Sequence, residues 1–427
     1  MNCKQDAKIC QVTEKTIVIG VDIASELHYA RAFDWRGVEL GKVFKFENTR
    51  EGFQRFQTWI QGLQQRVGKQ HVMVGAEPTG HYWFSLAEFL EDEGIKLVLV
   101  NPYHVKQSKE MDDNHPSKTD RKDPKLIARL VIEGRYSAPY IPKGIYADLR
   151  VASNLRMRLL KEITALKNHV KRWLKIYFPE YDDVFGKFDG VGSLMVLQAA
   201  PLPADVLALG EDGINKLWRE AKIRAVGIKR AKSLCEAARK SIGCTEGTAA
   251  ARIEIQLLLE DFLNKSNQYD MIVSVLESLC MEIPGVKELF EIKGVGLITI
   301  AGFFAEIGDI RRFESPKQIQ KLAGLAIREN SSGKHKGQTT ISKRGRGRLR
   351  AILFQAVMPL VAKNPEFAEI HRYYTTRSQN PLKKKQSIVA LSCKLIRVMY
   401  AIVTKGVTYD PAKLVTDIQR PTERATA

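Results

Sequence analysis

The 427-residue chain carries 67 Lys and Arg against 48 Asp and Glu, a net charge of +19, with 44% hydrophobic residues. That length accommodates two or three domains with their own cores, and that charge points to a polyanionic partner, nucleic acid before an acidic membrane surface, because clustered cations displace counterions from phosphates. No apolar run approaches bilayer length and MNCKQDAKICQ lacks the apolar stretch of a signal peptide, so a cytoplasmic, nucleoid-associated protein with no membrane partner is expected.

Residues 16 to 24, TIVIGVDIA, read as a buried β-branched strand, and LHYARAFDW and KVFKFEN as two more, joined by turns at Arg36-Gly37 and Gly41 into an antiparallel meander. Phe53, Phe56, Trp59, Ile60 and Leu63 recur at helical spacing between Thr49 and Val67. Strand, helix, strand and helix follow in HVMVGAE (71 to 77), GHYWFSLAEFLEDEG, KLVLVN (96 to 101) and DPKLIARLVIEG. A three-strand meander followed by alternating helix and strand is the order of an α/β ribonuclease H-like (RuvC-like) domain, here residues 14–148.

From Leu149 to Tyr177 the apolar residues Leu159, Ile163, Leu166, Val170, Trp173 and Tyr177 alternate in steps of four and three, with Arg and Lys on the other faces. Ile255, Leu259, Phe262, Tyr269, Val273 and Leu276 repeat the pattern between Arg252 and Cys280. These read either as core helices or as a long coiled-coil-like linker that pairs or dimerises, in a helical region spanning residues 149–283. GVGSLMVLQAAPLPADVL from Gly190 and GVGLITIAGFFAEIGDIRRF from Gly294 share a constant offset that matches Gly190 to Gly294, Gly192 to Gly296 and Asp205 to Asp309. Each resembles half of a helix-hairpin-helix, whose Gly-x-Gly turn presents backbone N–H groups to a phosphate, which makes Gly294 and Gly296 candidate contacts; a plain tight turn explains either copy alone.

Six cysteines (Cys3, Cys10, Cys235, Cys244, Cys280 and Cys393) without a CxxC pair or neighbouring His support neither a disulfide framework nor a zinc site. A mainly α C-terminal domain is assigned to residues 284–405 and a tail to 406–427. Between Arg328 and Arg350 lie eight Lys or Arg and one acid, Glu329, interspersed with Gly333, Gly337, Gly345 and Gly347. The glycine-rich half requires a loop or hairpin, and an apolar helix through Leu349, Ile352 and Leu353 follows. Such a run inside a folded region reads as a phosphate-binding loop, with Lys334, Lys336, Lys343, Arg344, Arg346, Arg348 and Arg350 as its contacts.

Asp22 lies among apolar residues in IGVDIAS, where a charge is costly unless paired or metal-bound. Glu77 ends a strand before Pro78 and Gly80. Asp123 precedes Pro124 and suits a helix N-cap, which accounts for Asp123 alone and leaves Asp120 unexplained. In a ribonuclease H-like sheet the first and fourth strands are neighbours and the last helix crosses them, so Asp22, Glu77, Asp120 and Asp123 would converge. Converging carboxylates call for a hard cation with oxygen ligands, Mg²⁺ or Mn²⁺. Lys118, Arg121, Lys122 and Lys125 would then hold the phosphate backbone.

GVDIAS, AEPTGHYW and SKTDRKDPKLIARL, with KGVGLITIAGFFAEIGDIRRFESPKQIQKLAGL and SSGKHKGQTTISKRGRGRLRAILFQA, resemble the insertion sequence 110/1111 family of transposases across most of residues 15 to 135 and 284 to 400. The resemblance implies a DNA recombinase with a D-E-D-D metal site at Asp22, Glu77, Asp120 and Asp123. It also implies a serine nucleophile before a glycine, Ser332 with Ser331 as fallback, that forms a covalent phosphoserine. Donor and target DNA, a bridge-type non-coding RNA and a homodimer or tetramer assembled through the coiled-coil-like helices are the implied partners. The chain departs from the family in a longer spacer from Phe178 to Ala251, in Pro124, and in Ile327 where the family's GLxP has proline. Rival readings are a RuvC-type nuclease or resolvase using water, and a non-catalytic nucleic-acid-binding protein.

Overall fold

The computed structural model describes residues 3–78, 80–112, 123–328, 331–332, 335–336 and 339–418, and it divides into two units, Met1–Ile141 and Pro142–Ala427. In the first, a short helix α1 (Cys3–Ile9) precedes β1 (Thr16–Asp22), which is buried from Thr16 to Val21. A strand covered on both faces has no polar face to show, which is why TIVIGV is continuously apolar or small. The unit continues as β2 (Leu27–Phe33), β3 (Phe44–Glu47), α2 (Arg50–Val67), β4 (His71–Ala76), α3 (Trp83–Asp92), β5 (Lys96–Val100), α4 (Pro102–Asp112), α5 (Asp123–Ile132) and β6 (Tyr136–Ser137). Helix α2 starts where the Thr49 hydroxyl accepts from Gly52 N at 3.1 Å and stops at Gly68, in the left-handed region.

The sheet order is β3-β2-β1-β4-β5-β6, with β1 antiparallel to β2 and parallel to β4. This is the sheet that the element order implies; α4 and the edge strand β6 add to it. Alternation along β1 sends Ile17, Ile19 and Val21 against α2 and α3, and Val18 to the other face against α5. On that second face Gly20 and Gly75 stand in register on β1 and β4. A Cβ at Gly20 would lie 1.8 Å from Pro124 O and 2.8 Å from Ala128 N, while one at Gly75 would lie 2.5 Å from Val131 Cγ2. Helix α5 therefore rests directly on the bare backbone of the two central parallel strands.

In the second unit α6 (Ile145–Tyr177) leads through α7 (Tyr181–Phe185), α8 (Val191–Ala199), α9 (Pro203–Glu220) and α10 (Ile228–Arg239) to α11 (Thr248–Met281). The two long helices pair with each other, within one chain and antiparallel: Trp173 Nε1 donates to Ala251 O at 2.9 Å near one end, Arg156 to Tyr269 Oη at 3.1 Å further along, and Leu149 shares a core with Leu276 and Cys280 at the other. Their alternating apolar residues are thus spent on an internal hairpin. Beyond it come α12 (Leu297–Ile307), α13 (Pro316–Leu322), the short strands β7 (Ile327–Arg328), β8 (Ser331–Ser332), β9 (His335–Lys336) and β10 (Thr340–Ile341), then α14 (Gly347–Lys363), α15 (Pro365–Thr376), α16 (Lys384–Lys405) and α17 (Pro411–Val415). Helix α16 has the length and composition of a membrane span, yet half of that stretch is buried, with Leu391, Leu395 and Met399 in the core.

Gly20→Ala sets a methyl against α5 backbone that no rotamer change relieves, so a loss at or beyond the top of the ~1–3 kcal/mol range for overpacking is expected in urea denaturation. Gly75→Ala meets only the tips of Val131 and Ile127 and should cost less.

Candidate active site

The parallel pairing of β1 with β4 ends at Val21 opposite Ala76, so the next positions are Asp22 on β1 and Glu77 just past β4. The two-residue period carried on from Gly20 and Gly75 puts both acids on the α5 face, and both are half-buried. Helix α5 begins at Asp123, one residue before the Pro124 carbonyl that sits over Gly20. Three of the four sequence-derived acids are thereby brought to the carboxyl edge of the two central strands, the position at which open α/β sheets bind ligands. Asp120, Lys118, Arg121 and Lys122 lie outside the described residues. Among the described residues, no three His, Cys, Asp or Glu side chains are close enough together to hold a metal ion. The chemistry of the three described acids, all oxygen donors, is the kind a hard divalent cation takes. Lys125, on the first turn of α5, is exposed and lowers the Glu39 carboxyl together with the nearer Arg31, whose hydrogen bond is the main cause.

Sequence reasoning passed over His28. Its ring is fully buried on β2 between Phe46 and Phe53, and Nδ1 accepts from Ala24 N at 3.2 Å, pinning the turn that follows Asp22. Burial pushes its pKa below the ordinary 6.5, against an opposing hydrogen bond with Asn48. The only signal in the sequence was a polar residue at an inward strand position.

Ser332 belongs to the second unit. It ends β8 in register with His335 on β9, the two strands being linked through Gly333 and Lys334, which are outside the described residues. An outer ladder pairs Arg328 with Thr340 and Ile327 with Ile341. The glycine-rich loop or hairpin expected there is two short antiparallel ladders. Lys336 lies on β9 opposite Ser331.

The arginines after this hairpin hold the fold. Arg348 donates to Ser153 O at 3.0 Å, to Ser153 Oγ at 2.8 Å and to Asn154, and its Nε lies 3.3 Å from Glu306 Oε1. Burial lowers its pKa while Glu306 opposes that shift. Arg346 also pairs with Glu306, at 3.6 Å, and Arg350 donates to Ala323 O at 2.9 Å. For these three, expected as phosphate contacts, the structure supplies protein partners; Lys343 and Arg344 remain exposed.

The two GVG copies differ in structure. Gly296 is the exposed N-cap of α12, and Gly294, at φ 103°, backs onto Leu360. In the first copy Gly190 is the N-cap, and Gly192 lies inside α8, its carbonyl accepting from Trp218 Nε1 at 2.8 Å. Asp205 binds Leu202 N and Arg252, whereas Asp309 accepts from Arg311 N. The offset is a likeness of sequence with a two-residue shift of role.

A family model described as a transposase, of the DEDD type, matches residues 19–179, and one described as "Transposase IS116/IS110/IS902 family" matches residues 286–372. A pilin gene-inverting protein of Moraxella bovis is 25% identical over 376 residues, covering 86% of this chain and 89% of that protein. The transposase for insertion sequence element IS1111A of Coxiella burnetii is 23% identical over 394 residues, covering 92% and 91%.

Arg348→Ala should cost about 3 kcal/mol of stability in urea denaturation, because it strips a partner from half-enclosed Glu306, whereas Lys343→Ala and Arg344→Ala should stay within ~0.5 kcal/mol. His28 is held neutral in the fold, so its contribution is complete above pH 6.5 and is lost as pH falls through its lowered folded value. The stability difference between wild type and His28→Asn should therefore shrink from pH 7.5 to pH 5 in parallel denaturation series.

Proposed function

The chain belongs to the IS116/IS110/IS902 family of transposases, and from that membership we propose that it cuts and rejoins DNA through a phosphoserine at Ser332, served by a divalent-metal site of Asp22, Glu77, Asp120 and Asp123 and guided by a bridge-type RNA. The observation that carries this reading is the register that sets Asp22 beside Glu77 under the first turn of α5. When bound, Mg²⁺ or Mn²⁺ polarises phosphoryl oxygens and offsets the charge of the transition state. The four acids would hold the ion, and Lys118, Arg121, Lys122 and Lys125 would grip the neighbouring phosphates. Ser332 Oγ attacks phosphorus and gives its proton to a base. The bond to the leaving strand breaks, and that strand's oxygen takes up a proton to leave as a free hydroxyl. The energy of the phosphodiester is kept in the phosphoserine for the reverse step, in which a strand-end hydroxyl displaces Ser332. Similarity to a protein named for inverting a gene supports rejoining as well as cutting.

Exposed Lys343 and Arg344 beside the serine hairpin, with Lys334 and Lys336 within it and Gly296 at the start of α12, supply its proposed backbone contacts. The net charge of +19 supports a guide RNA alongside donor and target DNA. The acids lie in one unit of the chain and Ser332 in the other, and the reading places their assembly between subunits of a dimer or tetramer.

The test is to incubate protein, Mg²⁺, the element's RNA and labelled DNA and to resolve protein–DNA adducts on denaturing gels. Ser332→Ala should abolish the adduct, and Asp22→Asn should lower it at least ~100-fold while DNA binding persists. Chelation of the metal should have the same effect as Asp22→Asn. Mixing the two variants should restore adduct if the site assembles between subunits. Nicked DNA without any adduct would instead favour a nuclease that uses water.

A further inference from the structure

Residues 180–285 lie between the two family matches, and nothing in the proposed chemistry uses the α7–α10 subdomain they contain. We propose that the outward face of α10 and the loop before it is a second docking surface, which binds the phosphate backbone of duplex DNA without reading its bases. From Lys222 to Lys240 there are seven cations and one acid, Glu236, a net of 7 − 1 = +6 within a chain of net +19. All seven are exposed. Among the described residues no acid is paired with Lys222, Arg224, Lys229, Lys232, Arg239 or Lys240. The seventh, Arg230, donates to the Val184 carbonyl and lies over the Phe185 ring.

The subdomain fixes which way these charges point. Ala231, Leu234, Cys235 and Ala238 are buried against Val184, Ile214 and Trp218, so Lys229, Lys232, Glu236 and Arg239 form the opposite stripe of the helix. The nearest acids do not neutralise it. Glu180 is held by Ser241 Oγ at 2.6 Å and Ile242 N at 3.0 Å, and Asp182 pairs with Lys175 at 3.5 Å, which leaves Asp183 and Glu236 at the groove beside α10 and Glu211 of α9 within electrostatic reach of Cys235. The first turn of α10 has no acid and two cations, the reverse of what the helix dipole favours. Uncompensated repulsion on a well-packed helix is relieved by a polyanion. The stripe from Lys229 to Lys240 runs about 16 Å at 1.5 Å per residue, enough to meet several phosphates. DNA is the polyanion that the family's activity already brings to the protein, and the distance in sequence from the acids and from Ser332 suits a flank-holding role.

The full chain, in chelator so that no cleavage occurs, is titrated against a mixed-sequence duplex and read by fluorescence anisotropy at several salt concentrations. A variant combining Lys229→Ala, Lys232→Ala, Arg239→Ala and Lys240→Ala should bind at least about tenfold more weakly and lose roughly 3–4 from its log–log salt slope, at ~0.9 per phosphate. Lys→Arg substitutions at 229, 232 and 240 should leave both unchanged. Binding is read without cleavage, so failure of the serine chemistry is distinguishable from failure of this surface. An Ala variant with native circular dichroism and unaltered affinity and slope overturns the proposal. A loss confined to a structured RNA hairpin, with duplex binding intact, overturns the assignment to DNA.

Discussion

The closest constraint in the N-terminal unit is the seating of α5 on the bare backbone at Gly20. A helix normally stands off a sheet by the thickness of two layers of side chains, but here the Pro124 carbonyl occupies the place of a missing Cβ. That approach takes Asp123 down to the level of the strands, where Asp22 and Glu77 leave the sheet on the same face. Any side chain at Gly20 would lift the first turn and, with it, Asp123 of the proposed acidic site. The glycine is required by space, since β1 runs in ordinary extended geometry there.

The second unit rests on a different device. The antiparallel pairing of α6 with α11 joins two cores: one end of the hairpin, around Leu149, Leu276 and Cys280, is shared with the helices that carry the serine hairpin, and the other, around Trp173 and Ile255, with the inserted α7–α10 subdomain. Polar tips on that pairing find partners, as when Trp173 donates to the Ala251 carbonyl, so the interface is specific as well as apolar. The serine hairpin is built differently again, from two-residue ladders on a frame held by Arg350 and the Gly324 turn.

Charge has two jobs in this chain. Arg346, Arg348 and Arg350 turn inward to Glu306 and to backbone carbonyls, where a planar guanidinium satisfies several acceptors at once. The lysines and arginines of α10 and its preceding loop turn outward with few acids near them. Composition counts both groups alike, and only the partners distinguish a cation that holds the protein together from one left available for phosphate.

Much of the first unit was legible in the sequence because strand alternation, turn glycines and the helix-starting Pro124 are local signals, and because the order of elements restricts the sheet to few topologies. The family was legible in ordered motifs. Helix α4 and β6 went unread: α4 is weakly amphipathic and β6 is two residues long at an edge, so neither imprints a period. The matching offset of the GVG segments suggested a repeat that tertiary packing does not keep, since Trp218 claims the Gly192 carbonyl inside α8 whereas the Gly296 carbonyl accepts from Thr299 N and Ile300 N at the start of α12. What the sequence determined by itself is the chemistry available: the order of its motifs, the side chains they carry and how much positive charge. Register across β1 and β4, the seating of the α5 backbone on Gly20 and the choice of partner for each long helix and each arginine were decided by the tertiary structure, because each depends on what a distant segment brings into contact.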